Sequence, residues 1–266
     1  MFSRDSSFLL AIDIGNTSIA LGLFKSVDNP SLLKFEKLAL SRATQARIAD
    51  AFRKVLGSDN QGRAVLSSVA PAQTRAIVSA LRHLGIPFYQ IRPDGVPGFS
   101  ALVDNPSKVG SDRIANAFAA WALLKRPVAV VDCGSATTIS LVDEAGFRGG
   151  AILPGLTLMR NALTEHTAKL PSVSLTDTSS AAVGTNTKAA ILSGILYGTA
   201  GALDRIIAAS EKELKKRLFF VLTGGHANLI SPLLLRKHRI IPDLTLQGLR
   251  LIRRRLDLSH QGAIIR

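Results

Sequence analysis

The chain has 266 residues, 47% of them hydrophobic, so it can bury a substantial core as one large domain or two of ordinary size. It carries a formal net charge of +14 and a single cysteine, Cys133, which excludes an intramolecular disulfide and a cysteine metal cluster. No window approaches the roughly 18 uninterrupted apolar residues of a membrane helix. Because Asp13 cuts short the apolar run near the N-terminus, we expect a cytoplasmic protein without a signal peptide.

The positive charge is spread evenly along the chain. Residues 1–126 hold 16 Lys/Arg and 9 Asp/Glu, and residues 127–266 hold 17 and 10, so each part carries +7. We expect the basic runs at 212–217 and 253–255 to be solvated helix faces. A nucleic-acid groove would carry interleaved aromatic residues, and these are only 5% of the chain. The composition therefore favours a basic surface that attracts anionic substrates over a nucleic-acid interface.

In chain order, the first elements are two strands with a short Gly-Asn-Thr reversal between them. A third predicted strand is followed by a helix over 72–86, which has helical spacing of its apolar residues and Gly85 as its stop. A fourth strand comes next. The four predicted strands lie at 8–14, 18–24, 63–71 and 87–91.

Residues 92–110 are rich in proline and glycine, which predicts a loop. The next segment, 111–126, predicts a helix with Ser111 as its N-cap. A strand pattern restarts at 127–134. The expected apolar stripe of the helix consists of Ile114, Ala117, Phe118, Trp121 and Leu124.

The chain contains an internal repeat. "LLAIDIGNTSIALGLF" at 9–24 aligns without a gap with "VAVVDCGSATTISLVD" at 128–143, an offset of 119 residues that places Asp13 on Asp132. This period is too long for a solenoid. It predicts two similar α/β domains, residues 1–126 and 127–266, that face each other across a cleft.

Each repeat ends a strand on Asp-x-Gly followed by small, hydrogen-bonding residues. Glycine lets a phosphate approach the backbone N–H groups, and the aspartate can hold a cation that bridges to phosphate. A single such turn is often only a turn former. The duplication favours a pair of turns that bind a nucleotide's phosphates from two sides. Gly224 and Gly225, after a buried strand, would leave room for the base or the ribose.

An ordered set of motifs then resembles the type III pantothenate kinases over about residues 9–251. The resemblance implies two ribonuclease-H-like domains of the actin-like ATPase superfamily, assembled as a homodimer. It also implies ATP-dependent phosphorylation of pantothenate to 4′-phosphopantothenate, with Mg²⁺ and a monovalent cation, K⁺ or NH₄⁺. The motifs are "DIGNT" at 13–17, "NPSKVGSDR" at 105–113, "DCGSATT" at 132–138, "GGAILPG" at 149–155, "GTNTKAAILSG" at 184–194 and "LTGGHA" at 222–227.

The resemblance also implies site residues. Asp112 matches the proton acceptor of the family, Asp132 its monovalent-cation ligand, and Thr187 a residue that reaches the substrate of the neighbouring subunit. Residues matched to ATP binding are Asp13, Gly15, Asn16, Thr17 and Ser135, to which we add Gly224 and Gly225. Those matched to pantothenate binding are Val103, Gly110, Ser111, Asp112 and Arg113.

The residue types of the Ser-Asp-Arg segment suit these roles. A carboxylate placed on a primary alcohol can accept its proton as the bond to phosphorus forms. The Arg113 guanidinium can bind the pantothenate carboxylate with two donors. Because Asp112 would lie in the first turn of a helix, we expect its pKa to be low and its role to be chiefly positioning. The alternative for this segment alone is an N-cap followed by a surface ion pair.

Three positions depart from the family pattern: Ser111 stands where alanine is usual, Ser135 where threonine is usual, and Val103 where many members have a tyrosine. The last change removes a hydrogen bond, worth about 1 kcal/mol, and could weaken substrate affinity. The five histidines have no ligand spacing, which argues against a zinc site. Two alternatives stay open here: a non-catalytic relative with a transcription-accessory or nucleic-acid-binding role, and a superfamily relative that acts on another acceptor.

Overall fold

The structure, a computed structural model, describes residues 8–57, 62–176 and 181–259. The chain divides into two compact units. The first takes the described residues up to Leu124, together with Ala145–Phe147 and the described residues from Leu244 onward. The second consists of Lys125–Glu144 and Arg148–Asp243. The division into folding domains at 1–126 and 127–266 stays a prediction.

Each unit is built on one five-stranded sheet. The strands are β1 (Leu9–Ile14), β2 (Ser18–Phe24), β3 (Leu32–Ala39), β4 (Arg63–Ser68), β5 (Phe88–Gln90), β6 (Val128–Cys133), β7 (Ala136–Asp143), β8 (Gly146–Pro154), β9 (Phe219–Thr223) and β10 (His238–Ile240). The helices are α1 (Gln45–Leu56), α2 (Pro71–His83), α3 (Ser111–Leu124), α4 (Leu156–Glu165), α5 (Thr187–Leu214), α6 (Ala227–Ile230) and α7 (Leu244–Leu258).

The two sheets have the same strand order, which confirms the internal repeat. The first runs β3-β2-β1-β4-β5 and the second β8-β7-β6-β9-β10. In both, the first repeat strand pairs antiparallel with the next strand and parallel with a later one. The turns differ by one residue, since Asp13 pairs with Ala20 whereas Asp132 pairs with Thr138. The gapless sequence alignment therefore holds for the first strand of each hairpin, and the second hairpin is one residue tighter.

The core of the first unit lies between its sheet and helices α1 and α2. Helix α1 begins at a threonine cap, where the Thr44 hydroxyl oxygen accepts from the Arg47 N–H at 3.4 Å. Its buried residues recur at helical spacing and include Ile48, Phe52 and Val55, so one face packs on the sheet. The predicted strands and the helix that Gly85 ends, with φ at +69°, are confirmed.

Helix α5 forms much of the core of the second unit. It is the one described helix that is long and apolar enough to cross a membrane by length and composition. Its apolar residues Ile191, Ile195 and Leu203 are buried against strands of the second sheet. One face of α5 is thus packed within the core of the second unit.

Helix α7 packs closely on α3 within the first unit. A Cβ on Gly248 would lie 2.1 Å from the Ala115 carbonyl oxygen, and the Thr245 hydroxyl donates to the buried Asn116 Oδ1 at 2.9 Å. The predicted stripe of α3 is therefore wrong in part: Ile114 and Ala117 are buried, whereas Phe118, Trp121 and Leu124 are only half-buried. The buried face of α3 comprises Ser111, Ile114, Ala115, Asn116, Ala117, Ala119 and Ala120.

The expectation that both basic runs are solvated helix faces is wrong in part. Arg253 is only 3% exposed, stacks over the Tyr89 ring at 5.7 Å and pairs with Asp257. In the other run, Lys216 donates to the buried carboxylate of Asp143 at 2.9 Å. Long cationic side chains can lay their apolar stems against a core while their donors reach buried acceptors, so charge alone does not indicate exposure.

Candidate functional site

The first Asp-x-Gly turn joins β1 to β2. The Gly15 N–H donates to the Ser18 carbonyl at 3.0 Å, and the Leu40 N–H donates to the Thr17 carbonyl at 2.7 Å, so both sides of the turn are tied down. Asn16 and Thr17 are exposed at its tip. The turn thus presents small polar residues to solvent from a rigid strand end, as phosphate binding requires.

Asp13 is held by a serine that the sequence analysis missed. Ser67 lies opposite Asp13 in the parallel pairing of β1 with β4, and its hydroxyl donates to Asp13 Oδ1 at 2.5 Å. The serine is fully buried. The signal was present as two polar residues, Ser67 and Ser68, at the end of an otherwise apolar strand. In the second sheet the equivalent partner of Asp132 is Thr223.

Helix α3 brings Asp112 to the same edge of the first sheet. The Ser111 hydroxyl accepts from the Ser68 N–H at 3.1 Å and donates to the Ser68 carbonyl at 3.3 Å, so the helix starts where β4 ends. The prediction that Ser111 is the N-cap is wrong, because Ser111 is the first helical residue and bonds the strand instead. Since β4 runs beside β1, the aspartate turn at Asp13 and the start of α3 lie at one sheet end.

The expected low pKa of Asp112 is also wrong. Asp112 does lie in the first turn of α3, and its Oδ1 accepts from the Arg113 N–H at 2.8 Å. Burial nevertheless raises the pKa of the Asp112 carboxyl, because desolvation outweighs this hydrogen bond and the charge of Arg113. A Cβ on Gly110 would lie 2.4 Å from Asp112 Oδ1, so glycine makes room for the carboxylate.

The guanidinium of Arg113 lies over an aromatic ring. Its Cζ is 5.3 Å from the ring centroid of Phe147, and burial lowers the pKa of Arg113 although Asp112 opposes the shift. The pKa of an arginine is so high that the group stays charged. Val103 is half-buried and directly follows Leu102, whose N–H donates to the Phe147 carbonyl at 2.8 Å. The residues predicted for pantothenate therefore belong to one part of the first unit.

The second Asp-x-Gly turn is packed tightly by glycines of other segments. A Cβ on Gly224, whose φ is +90°, would lie 2.3 Å from Asp132 Oδ1 and 2.7 Å from the Cys133 N. A Cβ on Gly155 would lie 2.3 Å from the Ser135 carbonyl oxygen. These contacts fix the backbone on both sides of the turn.

The side chain of Cys133 is buried in the core, as predicted, and does not form a reactive thiolate. It is 1% exposed, and burial together with the nearby Asp132 raises the pKa of its thiol to about 12. Its carbonyl accepts from the His226 N–H at 3.0 Å. That bond ties the Gly224-Gly225 segment, which is exposed, to the same strand end as the turn.

Thr187 lies at the beginning of α5. The preceding Asn186 is the N-cap, and its Oδ1 accepts from the Ala189 N–H at 3.0 Å. Thr187 itself is exposed, so its side chain is available to a partner of the chain.

The carboxylates of the two turns are candidate ligands for a divalent metal. Among the described residues, no three His, Cys, Asp or Glu side chains group together as a metal cage. Mg²⁺ is usually held by one or two carboxylates, water and substrate phosphates, so a single carboxylate such as Asp13 at the first Asp-x-Gly turn fits it. The site therefore suits a metal that arrives with a nucleotide.

The family model described as "type III pantothenate kinase" matches residues 9–209 of this chain. The type III pantothenate kinase of Rubrobacter xylanophilus is 37% identical over 258 residues, covering 92% of this chain and 96% of the relative. That of Listeria innocua is 36% identical over 263 residues, with coverages of 93% and 97%.

Solved structures share the fold at low identity. A putative Baf family transcriptional activator from Campylobacter jejuni superposes with a TM-score of 0.60 at 19% identity, covering 95% of this chain and all of that one. Component A of (R)-2-hydroxyglutaryl-CoA dehydratase from Acidaminococcus fermentans gives 0.57 at 14% identity, with coverages of 94% and 99%. These likenesses bear on the fold alone, and they agree with the predicted pair of ribonuclease-H-like domains.

Proposed function

The chain belongs to the type III pantothenate kinase family, and we infer from this membership that it uses ATP to phosphorylate the primary hydroxyl of pantothenate. The product is 4′-phosphopantothenate, formed in the first step of coenzyme A biosynthesis. One observation of the structure supports this role most directly: Asp13 of the first turn and Asp112 of α3 lie at the same end of the first sheet. The relatives that are 36% and 37% identical are type III pantothenate kinases, and they give no support to the transcription-accessory alternative. A cytoplasmic location agrees with a role in coenzyme A biosynthesis.

Phosphate binding is assigned to the two Asp-x-Gly turns. Each turn would bind phosphate through backbone N–H groups, those of Asn16 and Thr17 in the first turn and that of Ser135 in the second, with the Ser135 hydroxyl as a further donor. Gly224 and Gly225 would lie beside the base or ribose. Rigid turns suit this task, because phosphoryl transfer depends mainly on positioning and on stabilising charge.

Acceptor binding is assigned to the start of α3 and the loop before it. Arg113 would bind the pantothenate carboxylate, and Gly110, Ser111 and Val103 would line the same site. Asp112 would accept the proton of the primary hydroxyl as the bond to phosphorus forms. The raised pKa of Asp112 makes it a stronger base than a solvated aspartate, which adds proton transfer to its positioning role.

Cations complete the assignment. Asp13 would hold Mg²⁺ together with the phosphates, and the metal would neutralise charge on the transferring group. Asp132 would bind a monovalent cation, K⁺ or NH₄⁺, beside the second turn.

The test of this function is a turnover assay with ATP, Mg²⁺ and pantothenate, in the presence and in the absence of K⁺. We expect the wild type to form 4′-phosphopantothenate with strong activation by K⁺. We expect Asp132→Asn to lose most of that activation, because the neutral amide binds a cation less well, while its melting temperature stays close to that of the wild type. Failure of the wild type to phosphorylate pantothenate with any cation would contradict the function, and K⁺ activation that survives in the variant would contradict the role of Asp132.

We further propose that the chain acts as a homodimer through an exposed face of α5. Gly194, Tyr197, Gly198 and Gly201 follow one another along this face, and a Cβ on any of the three glycines would meet nothing within 4 Å. Tyr197 is 37% exposed, so its ring lies at the surface beside these glycines. A second copy could approach this face closely and bring Thr187, on the same helix, to the substrate of its neighbour.

Gly198→Arg tests the dimer. The added side chain has room in the single chain but would block close approach of a second copy. We expect the mass in solution to fall from twice the 28.3 kDa of the chain to that of one chain, with a raised KM for pantothenate. Ser79→Arg, at an exposed position of α2, is the control and should leave the mass unchanged. A wild type that is monomeric at assay concentrations would rule the dimer out.

A further inference from the structure

The tip of the hairpin between β7 and β8 belongs to the first unit. Residues 145–147 lie there, while the residues on both sides of them belong to the second unit. The Phe147 N–H donates to the Ser100 carbonyl, and the Leu102 N–H donates to the Phe147 carbonyl, both at 2.8 Å. The tip is therefore paired with the strand-like segment that leads into Val103.

Glycine is required at the centre of this tip. Gly146 has φ at +122°, and a Cβ there would lie 2.1 Å from the Ser100 carbonyl oxygen. The backbone at position 146 thus lies so close to the Ser100 carbonyl that only glycine fits there, and this close approach places Phe147.

Phe147 is 1% exposed, and its ring lies beneath the Arg113 guanidinium at 5.3 Å. A flat cation over an aromatic face is held in one plane, and its N–H donors then point outward along the edges of that plane. Burial lowers the pKa of Arg113, and the charge of Asp112 opposes this shift.

We propose that Phe147 is a positioning residue for substrate binding: its ring sets the plane of the Arg113 guanidinium, so that the two donors of one edge meet the acceptor's carboxylate. This inference rests on the proposed function, in which Arg113 binds the carboxylate of pantothenate. The ring touches neither the substrate nor the reacting atoms, and its effect passes through Arg113. A purely structural role would instead disturb stability and turnover together.

The test uses Phe147→Leu and a double-mutant cycle with Arg113→Lys, which keeps the charge but loses the planar fork. We expect Phe147→Leu to raise KM for pantothenate about 5-fold with kcat within 2-fold of the wild type. In the Arg113→Lys background the same change should have almost no further effect on KM. Phe88→Leu is the matched control, since this buried ring also lies under an arginine, Arg82 at 5.9 Å, but on a different part of the unit. It should leave KM unchanged.

Two results would overturn the proposal. One is an unchanged KM for pantothenate in folded Phe147→Leu. The other is a rise in KM caused by Phe147→Leu that is equally large in the wild-type and in the Arg113→Lys background. If Phe147→Leu melts well below the wild type, Phe147→Met fills more of the space without a ring and takes its place in the cycle. Wild-type turnover of pantothenate is measured first. Its failure would remove the proposed function, whereas an active wild type with non-responding variants would remove only the role of Phe147.

Discussion

Asp112→Asn is expected to lower kcat/KM at least 100-fold. The amide keeps the size of the side chain but cannot accept the proton of the attacking hydroxyl, and general-base catalysis typically contributes 10²- to 10⁴-fold. The KM for ATP should change little, since the phosphate turns are untouched. The measurement is a steady-state assay of the variant with both substrates varied. Turnover within a few-fold of the wild type would remove Asp112 from the proton transfer.

Asp112→Asn should lower activity but raise stability. The folded-state pKa of Asp112 is raised, so the stability that this group contributes is complete below its unfolded pKa and is lost as the pH rises through its folded pKa. Asp112→Asn has no charge to bury. Its free energy of unfolding should therefore exceed that of the wild type by more at pH 8 than near pH 4.

Urea denaturation at the two pH values measures this difference. Asp94→Asn, at a carboxylate that forms only a surface pair with Arg92 at 3.4 Å, is the control and should show no such trend. The acid limb of the pH profile of kcat/KM should lie above the usual range of an aspartate for the same reason. A variant that is equally or less stable than the wild type at pH 8 would contradict the desolvated state of Asp112.

Gly224→Ala is expected to have the second-largest effect, a loss of about 100-fold in kcat/KM with a clear drop in melting temperature. The new Cβ would lie 2.3 Å from Asp132 Oδ1 and 2.7 Å from the Cys133 N, and φ at +90° disfavours any side chain. The second turn must shift to relieve the clash, and a small displacement of a phosphate-binding group is costly to the rate.

Gly85→Ala is the control for Gly224→Ala, because it introduces the backbone strain of a positive φ without a steric clash. Gly85 also has a positive φ, +69°, but a Cβ there would meet nothing within 4 Å. That variant should lose about 1 kcal/mol of stability and keep full activity. Full activity in Gly224→Ala would mean that the second turn does not need its present shape.

The strands of the repeat could be predicted because their signals are local, whereas β3 and α1 were not predicted. The apolar runs at 9–14 and 128–133 and the Asp-x-Gly turns that follow them define both hairpins in the sequence. The chemistry of the site was likewise suggested by residue types at turns. The one-residue difference between the two turns could not be predicted from the sequence. It arises from the register in which the strands pair, whereas the two sequence segments align without a gap.

Properties that depend on packing between distant segments could not be predicted. The helix dipole argument gave Asp112 a low pKa, but burial, which the sequence does not report, reverses the direction. Ser67 acquires its role only when β4 lies beside β1. Arg253 was expected on a solvated helix face as part of a basic run, but it packs against the ring of Tyr89 and pairs with the carboxylate of Asp257.

The most direct measurement is a crystal structure of the chain with Mg²⁺, a non-hydrolysable ATP analogue and pantothenate. We expect the primary hydroxyl of pantothenate within about 2.6–3.2 Å of the Asp112 carboxylate. We also expect the triphosphate to contact the backbone N–H groups of the turn after Asp13. A triphosphate that does not contact that turn, or an acceptor hydroxyl far from Asp112, would contradict the account.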